Sequence, residues 1–342
     1  LLSLTLTAAA NPGSFPHMSP QVICLGAINL DLKFQVEDLA GFLQEWDTGL
    51  TRGGEEALSP TDEPRLRELL ARFGEPAGRF GGGMAANTAY ALARLGIPVA
   101  LIGRVGNDAD GEFLQENLAG LDLTHVITEG KSGRAYILVD PEEERTILVV
   151  PNTNDDLEKR DIPWEALEKA NFLHLTALVG DGPLALQGEI AARVPETVRI
   201  SLDPGDLYAR RGWPALEAIL DHTETLLVNE AEWRRLGENL RVHPSWAPPL
   251  VVIKRGIRGA RLLTPLRHLD FPVELAGEVT DTLGAGDVFA AGYLAGRLAG
   301  LHLNLCVRLG NRAAAVSLSG AGRESYPDKS FLERQVQLLQ QF

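Results

Sequence analysis

The sequence predicts an α/β fold in which a mainly parallel sheet is covered by helices on both faces and carries a small β-strand lid. Short apolar runs recur along the chain, "VICLGAI", "VALIGRVG", "FLHLTAL", "VRISLD", "TLLVN" and "LVVIKRG". They read as buried strands, because a strand covered on both faces is apolar throughout. Helix-like stretches separate them, which is the βαβα alternation of a parallel sheet. One region breaks that alternation: "RAYILVDPEEERTILVVP" (134–151) holds two β-rich runs joined by Pro141 and an acidic turn. It reads as a hairpin with a solvated tip, and an antiparallel pair inserted in a parallel chain suggests a lid.

Taken in order, residues 1–19 read as a disordered leader. Their apolar run has no Lys or Arg before it to make a signal-peptide n-region, and Met18 is expected to be the natural start. One domain is expected over 20–342. Its first strand begins near residue 22, and "LDLKFQV" (30–36) adds a further lid strand. Residues 37–78, rich in Gly, Pro and charge, read as an insertion with one helix in "EPRLRELLARFG". The closing "KSFLERQVQLLQQF" reads as an amphipathic helix.

Composition narrows the function. The 342 residues are 45% hydrophobic, enough for a sizeable core. Thirty-two basic against 46 acidic residues give a net charge of −14, which argues against a broad nucleic-acid surface built on clustered Lys and Arg. No apolar run approaches the roughly 20 residues that span a bilayer. Cys24 and Cys306, the two cysteines, sit in apolar stretches and read as buried thiols, which fits a cytoplasmic setting. The seven histidines show no metal-ligand spacing.

Two Gly-rich segments carry the chemistry. "FGGGMAANTAYALARLG" (80–96) opens with Gly81, Gly82 and Gly83, passes Asn87 and runs on as a helix that stops at Gly96. Gly81, Gly83 and Ala86 also satisfy G-x-G-x-x-A. A dinucleotide-binding reading fails on context, because "GEPAGRF" is not a buried strand and the first strand lies too far back. "VTDTLGAGDVFAAGYLAGRLAGL" repeats the logic: a polar turn, then Gly284, Ala285 and Gly286, then a helix so apolar that it must be buried. The unpaired N–H groups at that helix start suit an anion. Asp287, in the first turn, has a capping role open to it, and also the place of a base beside a phosphoryl group in transfer. No G-x-x-x-x-G-K-[ST] occurs, so phosphate binding rests on this second segment.

Together these segments resemble the two signatures of the ribokinase-like (PfkB) carbohydrate kinases. "GAINLD" (26–31), "NEAE" (229–232) and "IKRGIRG" (253–259) match further family motifs in order, and the resemblance extends over 20–330. It implies a ribokinase-like three-layer αβα sandwich and ATP-dependent phosphorylation of a hydroxymethyl group of a small sugar. It implies Asp287 as base and the amides of Gly284, Ala285 and Gly286 as an anion hole. Asn29, Asp31, Gly83 and Asn87 become sugar contacts, and Lys254, Gly256 and Gly259 lie near the nucleotide. Asn229 and Glu232 act on Mg2+ and phosphate through waters. Asp281 matches a position that in some members helps hold a monovalent cation such as K+; a local turn role stays equally open. Many members dimerise through the lid, and the exposed lid face here is expected to be covered by substrate closure or by a second subunit in a homodimer.

The substrate is less legible. Gly205 in "LDPGDLYARRGW" stands where fructokinase and ketodeoxygluconate-kinase types show Asn, the following Arg is displaced, and Met84 replaces the Lys of ribokinases. A nucleoside acceptor is the alternative to a sugar, with Phe34, Phe80 and Tyr136 as candidates to stack on a base. A non-catalytic binding protein on the same fold is the other alternative.

Overall fold

A computed structural model describes residues 20–237, 249–273, 279–320 and 322–339. The expected leader, including Met18, lies outside them. In chain order the described strands are β1 (Val22–Leu25), β2 (Asn29–Gln35), β3 (Glu55–Ala57), β4 (Glu75–Gly82), β5 (Val99–Val105), β6 (Val126–Thr128), β7 (Gly133–Val139), β8 (Arg145–Val150), β9 (Phe172–Thr176), β10 (Arg199–Asp203), β11 (Thr223–Asn229), β12 (Leu250–Lys254), β13 (Ala260–Leu263) and β14 (His268–Phe271). Nine form a large sheet in the order β14-β13-β12-β11-β10-β9-β1-β5-β6. Pairing is parallel from β12 through β6, and β13 and β14 add an antiparallel edge.

The chain leaves β1 toward β5 on one side and later returns to β9 on the other. Strand order therefore reverses beside β1, and a crevice opens beyond the C-terminal strand ends, where α/β sheets bind ligands. One face of the sheet buries Val22, Cys24 and Leu101 against the helices Met84–Arg94, Ala285–Leu298 and Leu303–Ser317. The other face buries Ile23, Leu25 and Ile102 against Asp181–Arg193 and Trp213–Leu220. Three layers result, the αβα sandwich that the motifs imply.

The remaining strands form the lid, in the order β3-β8-β7-β2-β4. The hairpin of β7 and β8 pairs antiparallel as the acidic turn suggests. The segment 37–78 is more ordered than the sequence indicates. Its helices Leu39–Trp46 and Glu63–Phe73 lay Phe42, Trp46, Leu66 and Leu70 on Tyr136, Leu138, Leu148 and Val150 of the lid's outer face. Residues 75–78, read as insertion, belong to β4. "GEPAGRF" is not a buried strand, as expected, but from Glu75 on it is an exposed one that lacks the usual alternation and is held by pairing with β2. The outer face is thus covered, among the described residues, by the chain's own helices.

Candidate active site

A cavity of about 640 Å³ lies at the C-terminal ends of the large sheet and beneath the lid. Asn29, Asp31, Gly83, Asn87, Asn229, Glu232, Lys254, Gly256, Gly259 and the whole Gly284–Asp287 segment line it; Asp281 does not. The sequence motifs, spread over most of the chain, converge on one wall.

The helix Ala285–Leu298 enters at Gly284, whose φ of 74° favours glycine. A side chain there would also meet the Tyr326 hydroxyl at 2.4 Å. The N–H groups of Gly284 and Gly286 have no hydrogen-bond partner among the described residues, and that of Ala285 makes one long bond, 3.4 Å, to the Thr282 carbonyl. Open amides at the positive end of a buried helix form an anion site. Lys254 reinforces it: a Cβ on Gly286 would stand 3.3 Å from its Nζ.

Asp287 is only 8% exposed. Its Oδ2 accepts a hydrogen bond from Asn87 Nδ2 at 2.8 Å, and Arg323 Nε in turn donates to Asn87 Oδ1 at 3.1 Å. Burial, and then the Asp203 carboxylate, push the Asp287 carboxyl up to about 7, against the pull of Asn87, Lys254 and Arg323. A carboxylate with that pKa is poised to take up a proton near neutrality.

Asp203, the polar residue that closes the apolar run "VRISLD", is a member of the site. It ends β10, where a parallel strand delivers its last side chain to the crevice, and its Oδ2 pairs with Lys254 Nζ at 2.5 Å. Its Oδ1 is buried with no partner among the described residues. Burial alone would lower the Lys254 ammonium, but Asp203 and Glu232 more than offset it and keep Lys254 charged. Asn229 and Glu232 hold each other: the Asn229 N–H and Nδ2 donate to the two Glu232 oxygens at 2.7 and 2.6 Å, and Asn229 Oδ1 caps the Glu232 N–H at 2.9 Å.

Among the described residues no three His, Cys, Asp or Glu side chains gather as a metal cage. The unpartnered Asp203 oxygen and the spare lone pairs of Glu232 suit a Mg2+ that keeps most of its waters.

Asn154, missed in the sequence, fixes Asn29 by donating from Nδ2 to Asn29 Oδ1 at 2.7 Å, while its own Oδ1 accepts the Ile28 N–H at 3.0 Å. Gly83, at φ 91°, must be glycine because a Cβ would stand 2.2 Å from the Ala27 carbonyl oxygen. Gly259 is required for the same reason, since a Cβ there would stand 2.0 Å from Phe271 O. Val279, Ala314, Ala315 and Leu318 provide an apolar slot. That slot comes largely from the helix Leu303–Ser317, which carries no signature residue.

Asp281 shapes the turn before the anion site. Its Oδ1 accepts the Leu283 N–H at 2.9 Å and lies 3.4 Å from Arg145 Nη2, and the same guanidinium group bonds the Thr282 hydroxyl. Arg145 comes from β8, so the lid is tied to the turn that leads into Gly284. A guanidinium already stands beside the carboxylate that a monovalent cation would need, which favours the turn role. Phe34 and Tyr136 stack on each other on the outer lid face, and none of Phe34, Phe80 and Tyr136 lines the cavity, which removes them as base-stacking candidates.

Comparison with known proteins places this geometry. The family model "pfkB family carbohydrate kinase" matches residues 75–329. An uncharacterized sugar kinase of Archaeoglobus fulgidus is 36% identical over 245 residues, covering 69% of this chain and 98% of its own. An ATP-dependent ribose-1-phosphate kinase of Halopiger xanaduensis is 32% identical over 257 residues, covering 72% and 83%. Among solved structures, an adenosine kinase from Sinorhizobium meliloti superposes with a TM-score of 0.78 at 22% identity, covering 93% of this chain and 100% of that one.

Proposed function

We propose that this chain, which belongs to the pfkB family of carbohydrate kinases, transfers the γ-phosphoryl group of ATP to a hydroxymethyl group of a small sugar, with Asp287 as the base. It is a kinase, a phosphotransferase with an alcohol group as acceptor. The observation that carries the finer reading is the buried Asp287 in the first turn of a helix whose leading amides are open, oriented by Asn87.

In this reading the acceptor hydroxyl lies against Asp287, whose carboxylate takes its proton as the bond to phosphorus forms. The Gly284 and Gly286 amides and the Lys254 ammonium stabilise the charge on the transferring group. Asn29, Asp31 and Gly83 hold the rest of the acceptor, whose hydroxyls donate to fixed oxygens. Asn229, Glu232 and Asp203 would hold a hydrated Mg2+, which supplies charge neutralisation between the phosphates. Arg145 keeps the lid shut over the reacting groups and excludes water.

A nucleoside acceptor is the second reading, favoured by the inner lid face, where Ala135, Ile137, Ile147 and Val149 present an apolar wall to the cavity. ADP release with ATP, Mg2+ and a panel of free sugars and nucleosides tests both. Turnover of a free sugar supports the first reading, turnover of a nucleoside alone the second, and no turnover with any member refutes the assignment of Asp287.

Among the described residues no helix is long and apolar enough to cross a membrane. The two cysteines are buried and unpaired, which supports a cytoplasmic placement as part of this proposal.

A further inference from the structure

Arg323 follows the helix Leu303–Ser317 and does not line the cavity. Its guanidinium group nevertheless stands directly behind the base. Nε donates to Asn87 Oδ1 at 3.1 Å and Nη1 to Asn117 Oδ1 at 2.5 Å, and the group lies 5.1 Å from the centre of the Tyr90 ring. Asn87 and Tyr90 stand one turn apart on the helix Met84–Arg94, and Asn117 ends the helix Ala109–Asn117, so two helices grip one side chain. The backbone around Arg323 is tied down as well: Arg94 Nη2 donates to Tyr326 O at 3.2 Å, and the Ser325 hydroxyl to Ser317 O at 2.7 Å. Among the described residues Arg323 pairs with no carboxylate, and its Nη2 is buried without a partner. A partly buried guanidinium without a countercharge costs stability, so folding alone does not account for it.

Gly81, which opens the first Gly-rich segment, makes room for this arrangement. Its backbone is not left-handed. A Cβ there would nevertheless stand 2.1 Å from Asn117 Oδ1 and 3.0 Å from Arg323 Nη1. Glycine is required here by the hydrogen bond packed against the strand, not by a turn.

A guanidinium has donors and no acceptor, so it tolerates only the oxygen end of the Asn87 amide. Nδ2 is then committed to Asp287 Oδ2. Oδ1 of Asp287 receives no hydrogen bond among the described residues and is left as the basic atom of a side chain that lines the cavity. Once Oδ1 has taken the proton of the acceptor hydroxyl, the neutral carboxyl is itself a donor, and an untethered amide is free to turn its oxygen toward it. On the premise that Asp287 is the base, we propose that Arg323 is a positioning residue for phosphoryl transfer: by holding Asn87 Oδ1 it keeps Nδ2 on Asp287 Oδ2, so that Oδ1 takes the proton in every turnover.

The test uses the full chain with ATP, Mg2+ and whichever of ribose, fructose, adenosine and cytidine the wild type phosphorylates best. Arg323→Met should lower kcat by about 10- to 100-fold, the scale of a misplaced catalytic group. The acceptor KM and the Kd of ATP by calorimetry should stay within about twofold, because the side chain touches neither ligand. Asn87→Ala removes the link, so adding Arg323→Met to it should cost no more than about a further threefold. Losses that multiply would show that Arg323 acts by packing or by long-range charge and would overturn the proposal. Arg323→Lys keeps the charge without the planar fork and should lose nearly as much as Arg323→Met; full activity in it would overturn the proposal too. If Arg323→Met does not fold, Arg323→Lys takes its place in the cycle. Gly81→Ala, which displaces the guanidinium while leaving it in the chain, should lower kcat in the wild type and add little to Arg323→Met. The premise is tested apart. Turnover retained in Asp287→Asn, or phosphorylation of none of the four acceptors, removes the base and this proposal with it, whereas multiplying losses beside an inactive Asp287→Asn overturn this proposal alone.

Discussion

Asn87 Nδ2 donates to Asp287 Oδ2 at 2.8 Å, joining two residues 200 positions apart and with them the two Gly-rich segments. The bond holds the carboxylate in one orientation and stabilises its ionised form. Asp287→Asn should therefore lower kcat by about 10³-fold or more while ATP affinity hardly changes, because the amide keeps the shape and loses the basicity. Steady-state kinetics alongside nucleotide calorimetry check this; retained turnover would remove Asp287 as the base.

The same contact makes a pH prediction. Because Asp287 must be ionised to accept a proton and its carboxyl is pushed up to about 7, kcat/KM should rise with pH through a limb near that value. Asn87 is among the groups that pull this pKa down. Asn87→Ala should therefore move the limb to higher pH as well as lower the plateau, whereas a purely structural loss would leave its position unchanged.

Arg145 gives a prediction about the lid. Its guanidinium reaches from β8 to Thr282 and Asp281, the turn that leads into the anion site. Arg145→Ala should lower kcat/KM by about 10- to 100-fold, the scale of a misplaced catalytic geometry. ATP hydrolysis in the absence of acceptor should rise relative to transfer, because an unlatched lid admits water. An unchanged ratio of hydrolysis to transfer would mean that Arg145 does not hold the lid.

How far these arrangements were legible depends on what each residue leaves in the local sequence. The strands of the large sheet are continuous apolar runs, and the helix entrance at 284–286 is a bare Gly-Ala-Gly before a small-residue helix, so periodicity and composition reveal both. Asp203 was visible as the polar residue that ends a buried strand; its pairing with Lys254, 51 positions on, was not. Asn154 and Arg145 leave no such trace. Each belongs to a loop or lid strand whose neighbours are ordinary, and only the fold brings it to the cavity. β4 escaped notice because its Gly, Pro and charged residues are held as a strand by pairing with β2 rather than by any preference of their own.

Function also costs stability here, with a definite sign. Burial pushes the carboxyl of Asp31 up to about 7 from 3.8. Between those values the folded chain binds the proton and the unfolded chain does not, so stability falls as pH rises across the interval, and the full penalty applies above it. Asp31→Asn should raise Tm by a few degrees at about pH 8, with the gain shrinking as pH drops toward the lower value. Calorimetry at several pH values measures it. A Tm difference that does not vary with pH would show that Asp31 is not held protonated by its burial.

The covered lid predicts the oligomeric state. Sheets recruit partners through open apolar faces and unpaired edges. Here Phe42, Trp46, Leu66 and Leu70 close the outer face, β3 abuts the core helix Gly205–Arg211, and β4, at the other edge, carries Glu75, Pro76 and Arg79 on an exposed stretch. Charge and proline along an edge discourage strand addition. Light scattering at micromolar concentration should give a mass near the 37.0 kDa of one chain. Leu66→Asp, which places a charge under the covering helices, should loosen them and bring association or precipitation through the uncovered face. A stable wild-type dimer that Leu66→Asp leaves intact would show that the subunits meet elsewhere and that the insertion does not govern assembly.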